Sequence, residues 1–178
     1  MGIDVEAVDE FAGGFGWIEE GFMHRCSHAL VVDGRVWLID PVDEDGVEER
    51  VRASGSPAGV IQLLDRHKRD CAGLATRLGV PHHVVPQERV GPFEVLPVRR
   101  KRRWQEVALW WPDARVLVCA DALGTARYFR LGRGRLGVHP LLRLRRPRQL
   151  AGVAPEIILC GHGRGVFDDA ASALRDAL

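Results

Sequence analysis

The chain has 178 residues, of which 46% are hydrophobic and 28% charged, and this composition is typical of a globular domain long enough to bury its own core. Its net charge of +1 argues against a general affinity for nucleic acid or membranes, and it has no apolar run of the roughly 20 residues that a membrane-spanning helix needs. The first six residues lack the basic and apolar segments of a secretory signal, so we expect a cytoplasmic protein.

The predicted elements alternate between hairpins and helices. In chain order they are strands at 29–32 and 36–39, a helix at 43–52, a strand at 60–64, a helix at 71–78, strands at 82–85, 93–96, 107–111 and 115–119, a helix opening at 139–140, a strand at 156–160 and a helix at 167–178. Asp33-Gly34 is the turn signal of the first hairpin, and Gly79 ends the helix at 71–78. Hairpins mixed with helices indicate two packed sheets covered outside by helices, in a single domain over residues 1–178.

The basic residues and the cysteines are concentrated in ways that bear on function. The basic runs Arg99–Arg103 and Arg143–Arg148 are typical of solvated surface, and nucleic-acid binding through Arg99–Arg103 is the least favoured function because the net charge is close to zero. None of the four cysteines forms a CxxC pair, so we expect reduced thiols. His24, Cys26 and His28 alternate along one predicted strand, either as a metal site or as a coincidence of the strand face.

Polar residues follow three of the predicted strands, each among small residues. Asp70-Cys71 comes after the strand at 60–64, Asp121 after 115–119 and His162 after 156–160. Carboxylate, thiolate and imidazole groups are the ligands that suit Zn²⁺, which usually takes four of them. The alternative without a metal is that Asp70 and Asp121 cap the helix and the turn that follow them. Spacing alone leaves both interpretations open.

Residues 24–178 resemble the metallo-β-lactamase superfamily, whose fold is a four-layer αββα sandwich. Four stretches carry the resemblance: the hairpin Val32–Pro41 ending in Asp-Pro, the run Leu63–Cys71 in the place of the family's H-x-H-x-D-H turn, the strand pair Val107–Leu123 that delivers an aspartate, and the strand Ile157–Gly163 that delivers a histidine. The resemblance implies an αββα sandwich with a metal site at one edge between the sheets.

The first metal site of the family is altered in this chain. Ungapped matching places Arg66, Lys68 and Arg102 where the family has its three histidines, and alternation directs His67 away from the site. Protonated side chains do not ligate a metal, and two unit charges about 4 Å apart repel by roughly 4 kcal/mol at an effective dielectric constant of about 20. The resemblance therefore implies that the first site has been replaced by positive charge.

The second metal site of the family keeps most of its ligand types. The resemblance implies one zinc ion held by Asp70, Cys71, Asp121 and His162, with Asp70 and Asp121 as catalytic groups. This would be a mononuclear hydrolase whose anionic substrate is bound by the basic side chains Arg66, Lys68 and Arg102.

The leading interpretation needs no metal. In it, the same three basic side chains pair with Asp70 and Asp121 and neutralise them without an ion. The protein would then be a pseudoenzyme that binds an anionic small molecule or a partner protein in a cationic cleft.

Overall fold

In the computed structural model the fold is described for residues 5–19, 21, 23–130 and 134–178. The strands in these residues are β1 (Val5–Phe11), β2 (Gly14–Glu19), β3 (Cys26–Val32), β4 (Arg35–Ile39), β5 (Ser56–Gln62), β6 (His82–Val84), β7 (Glu94–Lys101), β8 (Trp104–Trp111), β9 (Val116–Cys119), β10 (Leu123–Gly124), β11 (Gly137–Val138) and β12 (Ile157–Cys160). The helices are α1 (Val47–Ser54), α2 (Cys71–Leu78) and α3 (Ala170–Ala177), with 3₁₀ turns at Pro140–Leu142 and Arg148–Gly152. None of the helices described is both long and apolar enough to cross a membrane.

Strands β1 to β6 form one mixed sheet in sequential order, antiparallel from β1 to β4 and parallel from β4 to β6. The predicted hairpin is confirmed as β3–β4, with Asp33 and Gly34 both at positive φ (50° and 72°) as a two-residue turn requires. The first twenty residues have only a weak pattern in sequence, yet they supply β1 and β2. Strand β2 pairs with β3 and β1 pairs with β2, and this pairing compensates for their low intrinsic preference.

Strands β7, β8, β9 and β12 form a second sheet in the order β12-β9-β8-β7. The two sheets bury a shared apolar core that includes Leu30, Ile61, Leu109, Leu117 and Leu159. Helices α1 and α2 cover the outer face of the first sheet, and α3 packs against β12 of the second. The predicted αββα sandwich is therefore the observed fold.

Helix bounds agree with the sequence where a cap and an apolar stripe coincide. The prediction for 71–78 is confirmed as α2, whose Gly79 cap lies at φ 67° and donates its N–H to the last turn. The helix predicted at 43–52 begins only at Val47, because Gly46 adopts a left-handed conformation. The helix predicted from 139 shrinks to a 3₁₀ turn at 140–142, because Leu141 and Leu144 are exposed and find no core.

The two sheets are joined by backbone hydrogen bonds just after β5. The N–H of Val107 donates to the carbonyl of Leu63 at 2.9 Å, and the N–H of Asp65 donates to the carbonyl of Gln105 at 3.0 Å. Gly161, directly after β12, likewise donates to the carbonyl of Cys119 at the end of β9. These bonds gather the chain after β5, β9 and β12 at one edge of the sandwich, where loops held by rigid strands commonly carry function.

Candidate metal centre

Three side chains, one following each of β5, β9 and β12, meet at this edge. The Nε2 atoms of His67 and His162 both lie 2.9 Å from the same oxygen, Oδ1 of Asp121. Their ligand atoms all lie within 4.8 Å of one another, and the three side chains are largely shielded from solvent. We refer to His67, Asp121 and His162 as the His–Asp–His cluster.

The other ring nitrogen of each histidine has an acceptor of its own. His67 Nδ1 lies 2.8 Å from Oδ2 of Asp40, whose Oδ1 in turn accepts the N–H of Leu63 at 2.8 Å. His162 Nδ1 lies 2.8 Å from the backbone carbonyl of Met23. A carbonyl or a carboxylate only accepts, so both Nδ1 atoms donate and the tautomer of each ring is assigned.

The donor set fits a single divalent transition-metal ion. With Nδ1 protonated, a neutral imidazole presents a lone pair at Nε2, and here two such lone pairs face one carboxylate oxygen. That arrangement is repulsive unless a cation lies between the three atoms or both rings carry a second proton. Two imidazoles and a carboxylate are ligands of Zn²⁺ and Fe²⁺, and histidines anchored through Nδ1 to a carboxylate or carbonyl are the usual outer contacts of such ligands.

Charge around Asp121 favours its ionised form. Burial by itself raises the pKa of the Asp121 carboxyl. When no cation is bound and both rings carry a second proton, hydrogen bonds donated by Nε2 of His162 and His67 outweigh burial and hold this pKa far below the usual range. Burial lowers the pKa of His67, while the Asp40 carboxylate raises it, and the net direction is upward. The cluster is thus built around a permanent negative charge that partners on several sides stabilise.

Arg66 approaches the second oxygen of Asp121 from the solvent side. One guanidinium nitrogen lies 3.2 Å from Oδ2 of Asp121, and another donates to the carbonyl of Arg103 at 3.3 Å. The guanidinium carbon lies 4.5 Å from the ring centre of Trp104, a cation–π contact. The side chain is 47% exposed, so part of its hydrogen-bonding edge remains open to a ligand.

Glu106 is a fully buried residue whose carboxyl group contacts the neighbour of Asp121 and the tryptophan that stacks on Arg66. Its Oε1 accepts the backbone N–H of Ala122 at 2.7 Å, next to Asp121, and its Oε2 accepts the indole N–H of Trp104 at 2.7 Å. Burial raises the pKa of Glu106 to about 7 against the opposing effect of these two donors. The residue is missed in sequence because a glutamate in a strand normally indicates the solvent face.

His139 lies on the same side of the sandwich, separated from His162 by the ring of Phe129. Its ring centre is 5.6 Å from Phe129, which stacks on His162 at 5.5 Å, and 5.0 Å from Trp104. The Nδ1 atom accepts the N–H of Leu141 at 3.2 Å, so a neutral ring carries its proton on Nε2. Burial lowers the pKa of His139, which keeps the ring neutral near pH 7.

The structure brings together only two of the four metal ligands expected from sequence. Asp121 and His162 meet, but Asp70 is exposed and accepts the backbone N–H of Asp43 at 2.9 Å. Cys71 is fully buried between α2 and the first sheet, with Sγ 3.6 Å from the carbonyl of His67, and burial raises its pKa. The expectation for Asp70 and Cys71 is corrected because α2 begins at Cys71 and turns both residues away from the cluster.

The three basic residues expected around the site differ in their contacts. Arg66 does contact Asp121, whereas Lys68 is exposed to solvent. Arg102 is exposed in the turn between β7 and β8 and borders a groove with Val85. Arg102 lies at the tip of the hairpin β7–β8, next to Arg103, whose carbonyl accepts from Arg66.

His67 is the site residue that sequence reasoning directed elsewhere. Strand alternation predicts that it faces away, but the chain after Gln62 is no longer a strand and turns at Leu64–His67. Arg69 then takes a left-handed conformation at φ 38°. A match shifted by one residue would have placed His67 on a histidine of the H-x-H-x-D-H motif, and this is the signal that the ungapped match missed.

Arg69 links three backbone segments at this edge of the sandwich. Its buried guanidinium donates to the backbone carbonyls of Cys26, Asp40 and Gly161, the last two at 2.7 and 3.0 Å. Burial lowers its pKa, and the Asp40 carboxylate opposes that effect. The cation thus neutralises the interior beside the cluster while remaining bound to protein groups.

No family model and no curated protein matches the sequence. Among solved structures, the crystal structure of the DIM-1 metallo-β-lactamase superposes with a TM-score of 0.65 at 13% identity, over 98% of this chain and 99% of that one. TTHA1623 in a di-iron-bound form gives 0.61 at 18% identity, over 86% of this chain and 94% of that one. The apo state of the chemotaxis sensor ODP from T. denticola gives 0.55 at 14%, over 98% and 93%. The protein therefore has the metallo-β-lactamase fold, and likeness at these identities establishes the fold alone.

Proposed function

We propose that the protein is a mononuclear metal-dependent hydrolase that acts on an anionic substrate. The cation would be held by Nε2 of His67, Oδ1 of Asp121 and Nε2 of His162. The observation that carries this proposal is that both histidines donate through Nδ1 to fixed acceptors and aim Nε2 at one carboxylate oxygen. Three protein ligands with a further open position are typical of catalytic zinc.

The neighbouring solved structures support this class of function. One is a metallo-β-lactamase by name and another binds two iron ions, so cations are bound on this fold. In this chain Arg66 and the Lys68–Arg69 stretch follow β5, and the cluster offers one set of three ligands. A single cation is the reading that these residues favour.

The protein's own groups perform the binding and positioning. Asp40 and the carbonyl of Met23 hold the two imidazoles in one orientation, so that the ligand atoms converge without reorganisation. Arg66, stacked on Trp104, presents a fixed positive charge beside the cluster for a phosphate or carboxylate group of the substrate. A bound divalent cation would supply Lewis acidity and lower the pKa of water for attack on the substrate.

A second candidate is a metal-free protein that binds an anion, and one specific contact favours it. Arg66 already pairs with Oδ2 of Asp121 while two histidines occupy Oδ1, so Asp121 has partners on both oxygens. If both imidazoles were protonated, the cluster would be neutralised without an ion. The protein would then be a pseudoenzyme whose ligand is held by Arg66.

Metal analysis of matched variants distinguishes the two candidates. For protein purified without chelator and loaded with Zn²⁺, we expect His162→Ala and His67→Gln each to lose one equivalent of bound zinc relative to the parent. Asp70→Asn and Cys71→Ala serve as controls, because the structure places these residues outside the cluster, and we expect them to lose none.

The zinc content is measured by elemental analysis after gel filtration, with circular dichroism to verify folding. If His162→Ala and His67→Gln fold and keep the zinc content of the parent, the metal-dependent proposal is wrong. A loss of zinc in Cys71→Ala alone would contradict the ligand set.

A further inference from the structure

A second group of metal-ligating side chains lies near Arg69, whose guanidinium contacts the carbonyl of one member, Cys26. Oδ2 of Asp9 is 3.0 Å from Nε2 of His28, and Sγ of Cys26 completes a set whose ligand atoms all lie within 4.8 Å. All three side chains are buried, with Cys26 at 1% and His28 at 2% exposure. His24, which shares the sequence alternation, is exposed and lies before β3 begins, so it is not part of the group.

Each of the three residues is held by a specific local feature. Asp9 sits at an irregularity in the β1–β2 pairing with φ 55°, and its Oδ1 accepts the backbone N–H of Gly165 at 2.8 Å. His28 lies over Gly16 of the neighbouring strand, where a Cβ atom would come within 2.9 Å of the imidazole. Positive φ at a non-glycine residue and a glycine inside a strand are both locally unfavourable, and here both are explained by bringing these side chains together.

The backbone around Cys26 is equally constrained. Its N–H donates to the carbonyl of Gly161 at 2.9 Å, and its carbonyl accepts from Arg69. Because Cys26 and His28 are two residues apart on β3, both side chains point to the same face of the sheet. The thiol and the imidazole therefore converge on Asp9 across the β1–β3 part of the first sheet.

We propose that Asp9, Cys26 and His28 form a structural site for a thiophilic divalent cation such as Zn²⁺, separate from the His–Asp–His cluster. Carboxylate, thiolate and imidazole are the three ligand types of protein zinc sites. A cation here would link β1, β3 and the loop at Gly165, which come from opposite ends of the chain. It binds with loss of the Cys26 thiol proton, and the thiolate, the Asp9 carboxylate and the cation balance one another in charge.

Two residues in contact with the group also line a surface cavity. Ile18 packs with Cys26 in a small apolar cluster, and the N–H of Gly165 donates to Asp9. Ile18 and Gly165 also line a surface cavity of about 520 Å³. A water molecule from the cavity would complete the usual four-coordinate set.

A thiol that stays protonated is the alternative, and the burial of Cys26 favours it when no cation is present. Burial raises the pKa of the Cys26 thiol, and the Asp9 carboxylate adds to this effect. Without a cation, burial therefore favours the protonated form of the thiol. The spectrum of a bound metal then reports directly whether Cys26 has become a thiolate ligand.

Cobalt substitution of the full chain tests the site. The His–Asp–His cluster contains no sulfur, so a thiolate-to-Co²⁺ charge-transfer band in the near ultraviolet can come only from a cysteine ligand. We expect the parent to show this band, and Cys26→Ala to lose both the band and one equivalent of Co²⁺. Asp9→Asn, which keeps the shape of the side chain, should weaken Co²⁺ binding at this site at least tenfold.

Two controls keep this test independent of the proposed function. Cys71→Ala should retain the band because Cys71 lies in the core under α2, and His162→Ala should retain it because its ligand belongs to the other cluster. A parent protein without the band at saturating Co²⁺, or a folded Cys26→Ala that keeps it, would overturn the proposal. Loss of metal in His162→Ala with the band intact would support both sites separately.

Discussion

At the scale of single residues, the candidate centre separates neighbours that look alike in sequence. Arg66 and Lys68 are both basic and two residues apart, yet only Arg66 contacts Asp121, and it alone stacks on Trp104. Asp70 and Asp121 both follow buried strands, yet the Asp70 carboxylate accepts a hydrogen bond from the backbone N–H of Asp43. Residue type therefore shows which side chains could act at the candidate centre. Their contacts in the fold show which of these side chains lie there.

Arg66 is expected to provide most of the affinity for an anion. A charge-assisted hydrogen bond contributes about 1.5–3 kcal/mol, and exposure reduces this value, so we expect Arg66→Ala to raise the Kd of the zinc-loaded protein for inorganic phosphate about tenfold. Lys68→Ala is the matched control and should leave the Kd unchanged within about twofold. Isothermal titration calorimetry measures both, and equal effects of the two substitutions would contradict the role given to Arg66.

At the scale of elements, α2 illustrates how much local sequence decides. The run Cys71–Leu78 carries Cys71, Leu74 and Leu78 on one buried stripe and ends at a glycine in the left-handed conformation. Both signals are local, so sequence predicts the bounds of this helix. The segment from His139 has the apolar residues but lacks a surface to cover, and its helix does not form beyond one 3₁₀ turn.

Two glycines of α2 should respond to alanine in opposite directions. Gly73 is inside the helix, and a Cβ there meets no atom within 4 Å, so Gly73→Ala should raise the free energy of unfolding by about 0.5–1 kcal/mol. Gly79 has the same open surroundings but lies at φ 67°, so Gly79→Ala should lower it by about 1 kcal/mol. Urea denaturation compares the pair, and a shared sign would show that backbone conformation is not the deciding factor.

At the scale of the whole molecule, the candidate centre depends on how the two sheets are joined. Leu64 at the end of the first sheet forms an antiparallel bridge to Glu106 in the second, and the side chain of Glu106 holds Ala122 and Trp104. The Glu106 carboxyl is fully buried. Its protonation state therefore affects the stability of the contact between the two sheets.

The pH dependence of stability should carry the signature of Glu106. Its pKa is about 7 in the folded protein, against about 4.3 in an unfolded chain. Because the ionised carboxylate is disfavoured in the folded state, the contribution of Glu106 to the free energy of unfolding is fully present below about pH 4. This contribution is lost as the pH rises through 7. We expect the parent to lose roughly 3 kcal/mol relative to Glu106→Gln between pH 4 and 8.

Chemical denaturation of metal-free protein across this pH range measures the difference between the parent and Glu106→Gln. Groups that titrate in both proteins cancel in that difference, so it isolates Glu106. A difference that is flat with pH would show that the pKa of Glu106 is the same in the folded and unfolded protein.

The sequence by itself determined the hairpin at Asp33-Gly34, the bounds of α2 and two packed sheets covered by helices, because these rest on turn residues, caps and apolar periodicity within short stretches. The αββα sandwich was implied by the resemblance of four short stretches to one family. It also indicated Asp121 and His162, each of which lies two residues after the end of a strand. Only the tertiary structure decided that His67 completes their cluster, that Cys71 belongs to the core, and that Asp9 joins Cys26 and His28. The positions of these residues depend on side-chain directions in irregular backbone and on contacts between segments far apart in the chain. Neither of these leaves a recognisable pattern in a short stretch of sequence.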